Sequence, residues 1–104
     1  MKLSVIIPVY NEKATLAEII RRIQAVKIPK EIIIVDDAST DGSRAIVRQL
    51  SKTSAIKAIF HDRNQGKGMA IRTGIREATS DYTIIQDADL EYDPQDYSKL
   101  IKPI

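Results

Sequence analysis

The acidic motif Asp87-Ala88-Asp89 is the stretch of this sequence best suited to chemistry. Alternate residues of an extended chain point to one side, so both carboxylates can face a single site, and Glu91 continues the spacing. Oxygen ligands at this density suit Mg²⁺ or Mn²⁺, particularly when a phosphate completes the coordination. The alternative is a solvated acidic turn that ends at Pro94. A D-x-D motif is common, so taken by itself it favours this alternative. The position of the motif after a predicted strand, together with a second acidic cluster, favours a metal site.

The second cluster begins with Asp36 and Asp37, which directly follow the apolar run Ile32–Val35. We predict that the run is a buried strand and that the aspartates lie where it emerges, so that burial of charge is avoided. One functional interpretation is a carboxylate that accepts hydrogen bonds from a ribose or a base edge, as after the second strand of dinucleotide-binding sheets. An equally simple alternative is that one aspartate caps the next helix and the other is solvated.

Two residues after the first predicted strand are further candidates for ligand contacts. Tyr10 can stack on a base or a sugar, or it can simply cover the edge of the sheet. Glu12 can contact a ligand, or it can complement the dipole of the helix that follows. Both alternatives stay open at this point.

The segment Gly66-Lys67-Gly68 looks like a phosphate loop but does not fit the Walker pattern. That pattern needs a glycine at position 61 and a serine or threonine at position 68, where this chain has His61 and Gly68. Backbone amides at this helix start, with Arg63 and Lys67, would still attract a diphosphate. Turn geometry is the simpler role for the two glycines. His61 is the only histidine, and we predict that it is a loop residue rather than a base.

These candidates follow apolar runs that alternate with helical patterns along the chain. The predicted strands are Leu3–Val9, Ile32–Val35, Ile56–Phe60 and Tyr82–Ile85. Apolar residues at helical spacing follow the first three strands, and a last helical segment begins near Pro94. This order predicts an open, mainly parallel, Rossmann-like α/β sheet with helices on both faces. The residues that follow the strands then gather on one edge of the sheet, where ligands bind.

Two details of the predicted helices concern local geometry. Thr15 and Glu18 have the spacing of a capping box at the start of the first helix, and Asn11 is a rival N-cap. Gly74 lies inside the third helix, where glycine costs about 1 kcal/mol relative to alanine. We therefore expect Gly74 to permit close contact between this helix and the sheet.

The length and composition of the chain limit the classes of function that it can have. A chain of 104 residues is limited to one domain. Its net charge of +2 is too small to indicate a nucleic-acid partner or a charged membrane surface. The absence of cysteine excludes disulfides and thiolate metal ligands. The apolar runs are far shorter than the ~20 residues that span a bilayer.

Four ordered stretches of the chain resemble a known family: SVIIPVYNE, EIIIVDDASTDGS, NQGKGMAIRTGIREA and DYTIIQDADLEYDP. They are similar to the nucleotide-sugar half of family 2 glycosyltransferases, which have the GT-A (nucleotide-diphospho-sugar transferase) fold. The resemblance is strongest to the dolichol- or polyprenyl-phosphate mannosyl- and glucosyltransferases. It implies a metal-dependent transfer, with inversion, of a hexose from a nucleoside-diphosphate sugar such as GDP-mannose or UDP-glucose.

The resemblance also implies roles for individual residues. The donor nucleotide would be bound by Pro8, Tyr10, Glu12, Val35, Asp37, Asp87, Ala88 and Asp89. Within this set, Val35 would contact the base through its backbone, and Asp37 would bind the ribose or the base. The metal, Mg²⁺ or Mn²⁺, would be bound by Asp87, Asp89 and Glu91. Many mannosyl-phosphate enzymes are expected to have glutamine in place of Glu91.

Members of this family continue well beyond the position that corresponds to Ile104. We therefore expect residues 1–104 to be a single truncated domain, the N-terminal donor-nucleotide-binding part, with the catalytic base beyond Ile104. Such a chain would bind nucleotide weakly, turn over little, and self-associate through the sheet edge left after the fourth strand. The acceptor would be a lipid phosphate or a saccharide. The full-length protein would be cytoplasmic or peripheral at the cytoplasmic face of the membrane.

Two other function classes remain open from the sequence. One is a catalytically silent nucleotide-binding or assembly fragment that needs a partner chain. The other is a receiver-type signalling module, which also combines paired acids, Mg²⁺ and a lysine. In such modules the acidic pair follows the first strand, whereas here that strand ends in Pro8-Val9-Tyr10.

Overall fold

The computed structural model describes residues 2–53 and 55–88 of the chain. Its strands are β1 (Leu3–Val9), β2 (Lys30–Asp36), β3 (Ile56–Phe60) and β4 (Tyr82–Ile85). Its helices are α1 (Leu16–Ala25), α2 (Ser43–Leu50) and α3 (Lys67–Glu77). Within this range, no helix combines the length and the apolar character that crossing a membrane requires. The predicted alternation of strands and helices is confirmed here, while the segment near Pro94 lies outside the described residues.

The four strands form one parallel sheet in the order β3-β2-β1-β4. Strands β2 and β3 lie on one side of β1 and strand β4 lies on the other, so the strand order reverses at β1. Because β1 pairs with both β2 and β4, its carboxyl end lies between theirs. Ligands of open α/β sheets bind beside such reversal points.

Helices cover both faces of the sheet, which explains why β1 and β2 are apolar on both sides. On one face, Ile20 of α1 and Val47 of α2 belong to a core that includes Ile34 of β2. On the other face, α3 packs on β1 and β2, and its Ala70 is clustered with Ile6. The predicted open parallel sheet with helices on both faces is confirmed.

Helix α3 lies close to β1 because residue 74 has no side chain. A Cβ atom at Gly74 would overlap the side chain of Ile6, which is fully buried in the sheet. The low helix propensity of glycine, which costs about 1 kcal/mol, therefore accompanies a close helix–sheet contact. This is the role predicted for Gly74 from the sequence.

The predicted capping of α1 is wrong. Thr15 occupies the N-cap position but makes no capping hydrogen bond, because its hydroxyl donates to the carbonyl oxygen of Ala88 instead. Glu18 forms ion pairs with arginines of its own helix, and Asn11 accepts a hydrogen bond from the loop after β2. These side chains find other partners because α1 begins beside the loops that follow β2 and β4.

At the amino end of the sheet, Glu31 fastens the turn between α3 and β4. Its Oε2 atom accepts hydrogen bonds from the Ser4 hydroxyl at 2.6 Å, from Thr79 N at 2.7 Å, and from the hydroxyls of Thr79 and Ser80. Burial raises the pKa of Glu31, but these hydrogen bonds outweigh it and lower the pKa to about 2. We call Glu31 with Ser4, Thr79 and Ser80 the amino-end clamp.

Candidate functional site

The carboxyl ends of β1, β2 and β4 and the start of α3 surround a cavity of about 220 Å³. It is lined by Pro8, Val9, Tyr10, Glu12, Asp37, Asn64, Gly66, Lys67, Ala70, Asp87 and Ala88. Tyr10 is 47% exposed at the rim, so its ring is accessible to a ligand. The cavity lies where the strand order reverses, which is the position expected for a ligand site in this class of sheet.

The strand register explains why these side chains meet. Asp37 N donates to Val9 O at 2.8 Å, and Gln86 N donates to Ile6 O at 2.9 Å. Parallel pairing therefore continues just past the ends of β2 and β4. As a result, Asp37 lies on one side of the end of β1 and Asp87 lies on the other, and the structure brings both carboxylates to one cavity.

Most of the residues predicted to bind the donor line this cavity. They are Pro8, Tyr10, Glu12, Asp37, Asp87 and Ala88. Val35 is instead buried in the core between α3 and the sheet, so its backbone contact with a base stays a prediction. Asp89 and Glu91 lie outside the described residues.

Asp37 is buried, with 3% of its surface exposed, and its carboxylate holds the loop that precedes α3. Oδ1 accepts hydrogen bonds from His61 Nδ1 at 2.8 Å and from Gln65 N at 2.9 Å, and Oδ2 accepts one from Gly66 N at 2.9 Å. Burial raises the pKa of Asp37, but these hydrogen bonds outweigh it and keep the pKa below its usual value. A carboxylate has about four acceptor positions, so about one remains for a ligand. We call these four residues the carboxyl-end clamp.

Asp36 is fully buried and, by strand alternation, points to the opposite face of the sheet from Asp37. Its Oδ2 accepts a hydrogen bond from Ser39 N at 3.2 Å, while Oδ1 has no partner within the part of the chain that the structure describes. The expectation that the two aspartates avoid burial is therefore wrong. The capping alternative is wrong as well, because α2 begins after Gly42 without a side-chain cap. At Asp37, two backbone amides and an imidazole compensate the buried charge.

His61, which lies behind Asp37, is a residue that sequence reasoning missed, as is Asn64 in the cavity lining. The side chain of His61 is 8% exposed, and its ring nitrogens lie 2.8 Å from Asp37 Oδ1 and 2.9 Å from Thr73 Oγ1. The β2–β3 register pairs Asp36 with Phe60, so the residues that follow, Asp37 and His61, are neighbours. That register was the missing signal, because the sequence does not display which residues of two strands lie side by side.

The acidic turn after β4 is held by a cation and by a helix start. Lys67 forms an ion pair with Asp87 Oδ1 at the cavity. The Thr15 hydroxyl donates to the carbonyl oxygen of Ala88, whose side chain is buried in the core on the α1 side of the sheet. The Asp87 carboxylate therefore faces the Lys67 ammonium at the cavity wall.

The chemistry of Asp87 fits the predicted metal. Its carboxylate is the kind of oxygen donor that Mg²⁺ and Mn²⁺ prefer, and it lies at the cavity, where it forms an ion pair with Lys67. Among residues 2–53 and 55–88, no three His, Asp or Glu side chains come together as a metal-binding group. The other two predicted ligands, Asp89 and Glu91, lie beyond the described ranges, so the complete ligand set stays a prediction.

The rim that carries Tyr10 and Glu12 is fastened to the loop after β2. Thr40 N donates to Asn11 Oδ1 at 2.7 Å, and Glu12 N donates to Ser43 Oγ at 3.0 Å. Asn11 itself adopts a left-handed conformation with φ of 54°. The DASTDGS segment, residues 37–43, therefore supports the rim of the cavity.

The chain folds as an open parallel α/β sheet with a cavity at its strand-order reversal, and sequence comparison identifies its family. The sequence profile of glycosyl transferase family 2 matches residues 4–104. The chain belongs to this family, as its four motifs predicted. This membership replaces the receiver-type interpretation.

Individual relatives give the extent of the match. A dolichol-phosphate mannosyltransferase from Pyrococcus furiosus is 38% identical over 106 residues, which cover 100% of this chain and 30% of the relative. An undecaprenyl-phosphate 4-deoxy-4-formamido-L-arabinose transferase from Pseudomonas aeruginosa is 37% identical over 105 residues, with coverage of 95% and 31%. The chain thus spans about 30% of the length of the relatives it matches.

Solved structures show the same fold. The mannosyltransferase PcManGT from Pyrobaculum calidifontis, in complex with GDP-Man and Mn²⁺, matches with a TM-score of 0.81 and 33% identity, over 90% of this chain and 29% of its own. The S. aureus protein TarS 1–349, in complex with UDP-GlcNAc, matches with a TM-score of 0.81 and 27% identity, over 95% and 29%. The open parallel sheet is therefore that of the GT-A glycosyltransferases.

Proposed function

We propose that this chain binds the donor of a metal-dependent, inverting glycosyltransferase that transfers a hexose from a nucleoside-diphosphate sugar of the GDP-mannose or UDP-glucose type. The observation that carries the proposal is the cavity between Asp37 and Asp87, at the strand-order reversal of a family 2 sheet. The complexes of PcManGT with GDP-Man and of TarS with UDP-GlcNAc support a nucleotide-sugar ligand.

We propose that the nucleoside binds on the side of Tyr10 and Asp37. The accessible ring of Tyr10 provides a stacking surface for a base or a ribose. The remaining acceptor position of Asp37 provides a single hydrogen bond to a base or ribose donor, because its other positions already hold the loop before α3. Specificity between guanine and uracil would then depend on this one bond together with the shape of the rim.

We propose that the diphosphate binds on the side of Lys67 and Asp87. The N-terminal end of α3 and the Lys67 ammonium bring positive charge to the cavity. A bound Mg²⁺ or Mn²⁺ would neutralise the diphosphate and stabilise it as the leaving group. Asp87 would hold this ion, together with the predicted ligands Asp89 and Glu91.

The acceptor that we propose is a polyprenyl phosphate or another lipid phosphate, with a saccharide as the alternative, and we place the full-length protein at the cytoplasmic face of a membrane. The support is the names of its relatives, which are dolichol-phosphate and undecaprenyl-phosphate sugar transferases. Because the match covers about 30% of these relatives, we propose that the acceptor site and the catalytic base belong to the remaining part. The 104-residue chain by itself would then bind the donor and turn over little.

Self-association is a further part of the proposal. Strand β4 pairs with β1 on one side, and within the described residues its other edge has no strand beside it. An unpaired edge is a template for pairing with another chain. Sedimentation of a single monomeric species at high concentration would contradict this expectation.

Calorimetric titration of the 104-residue chain with GDP, UDP, GDP-mannose and UDP-glucose, each with and without Mn²⁺, tests donor binding. We expect a dissociation constant below about 1 mM for at least one ligand, with tighter binding in the presence of Mn²⁺ and loss of that Mn²⁺ effect in Asp87→Asn. Asp81→Asn makes the same chemical change at an exposed position before β4 and should bind like the unmodified chain. Absence of binding by all four ligands would overturn the proposal.

A further inference from the structure

We infer that His61 is a positioning residue of the cavity, which fixes Asp37 and thereby the loop that leads into α3. This inference rests on the proposed function where it concerns nucleotide binding. The imidazole connects the end of β2 to the middle of α3, because its two nitrogens contact Asp37 Oδ1 and Thr73 Oγ1. Both His61 and Asp37 are more than nine-tenths buried, so water does not compete strongly for these contacts.

The proton positions follow from the partners of each atom. The ionised carboxylate of Asp37 only accepts hydrogen bonds, so His61 Nδ1 carries the proton that it donates to Oδ1. The single proton of the Thr73 hydroxyl has two acceptors within reach, His61 Nε2 at 2.9 Å and Met69 O at 3.0 Å. In a neutral imidazole Thr73 donates to Nε2, and in an imidazolium Nε2 donates to Thr73, which then donates to Met69 O. In both states Nδ1–H stays on Asp37, so Asp37 is oriented whatever the charge of His61.

The loop before α3 depends on that orientation. Gln65 N and Gly66 N donate to the two oxygens of Asp37, and Gly66 has the left-handed φ of 94° that the turn requires. This loop and the first residue of α3 supply Asn64, Gly66 and Lys67 to the cavity lining. His61 itself does not line the cavity. It therefore acts on a ligand only through Asp37 and the loop.

Three substitutions separate positioning from simple core packing. His61→Leu replaces the imidazole with an apolar side chain of similar bulk and so removes both hydrogen bonds. His61→Asn places an amide N–H near the position of Nδ1 and keeps a donor for Asp37. Thr73→Val removes only the far partner of the imidazole and is nearly isosteric with threonine. Loop position is read from hydrogen exchange of the Gln65 and Gly66 amides, and cavity function from titration with GDP and UDP in the presence of Mn²⁺.

We expect His61→Leu to speed exchange of both amides by about tenfold and to weaken nucleotide binding by about tenfold. We expect His61→Asn to stay within about threefold of the unmodified chain in both measurements, because the bond to Asp37 is retained. Such a rescue would not occur if His61 served only to fill space. Thr73→Val should speed exchange of the two amides by about threefold and weaken nucleotide binding by about threefold.

A folded His61→Leu variant with unchanged amide exchange overturns the inference, whatever the nucleotide result. Faster exchange with unchanged nucleotide affinity overturns it too, because the loop would then not matter to the cavity. If the unmodified chain binds neither nucleotide, the proposed function fails, while the exchange rates still decide whether His61 positions the loop. If His61→Leu does not fold, unchanged amide exchange in Thr73→Val overturns the inference.

Discussion

Helix α3 is fastened at both ends by a carboxylate, from Glu31 in β2 and from Asp37 just after β2, and the two fastenings differ in their surroundings. At the carboxyl-end clamp, Asp37 accepts hydrogen bonds from the two backbone amides just before α3, and a buried histidine braces it. At the amino-end clamp, Glu31 accepts hydrogen bonds from a backbone amide and two hydroxyls just after α3, and from Ser4 of β1. The carboxyl-end clamp forms part of a cavity wall, whereas Glu31 is not among the residues that line this cavity.

The two clamps have the same kind of hydrogen-bonded carboxylate but serve different purposes. In both clamps a carboxylate accepts hydrogen bonds from donors that are distant in sequence, and in both these bonds lower the pKa of the carboxylate. Glu31 joins a surface turn to the sheet, so its contribution concerns stability. Asp37 also determines where the loop residues of the cavity lie. We therefore expect changes at the amino end to alter stability alone, and changes at the carboxyl end to alter both stability and nucleotide binding.

The largest expected effect is that of Asp37→Ala. Removing this carboxylate leaves the imidazole and two backbone amides without their acceptor inside the protein, so the free energy of unfolding should fall by about 3 kcal/mol. Nucleotide affinity should fall as well. Urea denaturation and calorimetric titration measure the two effects. Glu31→Ala is the matched change at the other clamp and should lower stability while leaving nucleotide affinity as it is. Equal losses of affinity in both variants would remove the distinction between the two ends.

Gly74→Ala tests the contact between α3 and the sheet that lies between the clamps. The new methyl group would overlap the buried side chain of Ile6, so the free energy of unfolding should fall by about 2 kcal/mol. Gly68→Ala is the control, since a Cβ there meets no atom within 4 Å among residues 2–53 and 55–88, and it should change stability by about 0.5 kcal/mol in the favourable direction. Thermal or urea unfolding compares the pair. A stable Gly74→Ala variant would mean that α3 can move away from β1 without straining either clamp.

Glu31→Gln tests the amino-end clamp through pH. The folded pKa of about 2 lies below the ordinary value of 4.5, so the ionised clamp stabilises the fold fully above pH 4.5 and loses this contribution as pH falls toward 2. Because the side chain is partly exposed, solvent screening limits the contribution to about 1 kcal/mol. Urea denaturation at pH 7 and at pH 3 should therefore show a difference between the unmodified chain and Glu31→Gln that shrinks at the lower pH. A difference that grows on acidification would contradict the assignment.

Lys67→Gln is expected to have the smallest effect, limited to the cavity at the carboxyl end of the sheet. The variant loses an ion pair with Asp87 at the cavity, and because Lys67 is largely exposed the pair contributes little to stability. Affinity for a nucleoside diphosphate should fall by about threefold, since one positive charge near the diphosphate is lost. Lys57→Gln, which removes the exposed ion pair with Glu77 elsewhere on the surface, serves as the control. Equal affinities of the two variants would argue against a diphosphate beside Lys67.

Much of this molecule was determined by the sequence alone. The runs rich in apolar residues predicted the bounds of β1, β3 and β4 to the residue, whereas β2 extends beyond its predicted run to Lys30 and to the buried Asp36. The alternation of strands and helices predicted a parallel sheet, and a parallel sheet brings the residues after its strands to one edge. Asp37 and Asp87, which follow two strands of that sheet, accordingly line one cavity. The order of the four motifs predicted the family.

Only the tertiary structure decided which of these residues hold one another. Asp36 and Asp37 are buried rather than solvated, and His61 belongs to the site, because strand register makes residues 24 positions apart into neighbours. Thr15 bonds to Ala88 instead of capping its helix because a loop 73 positions away lies beside the helix start. Local patterns specify which elements form and which edge they share. The hydrogen-bond partners of a buried polar group depend on how those elements pack, and no local pattern contains that information.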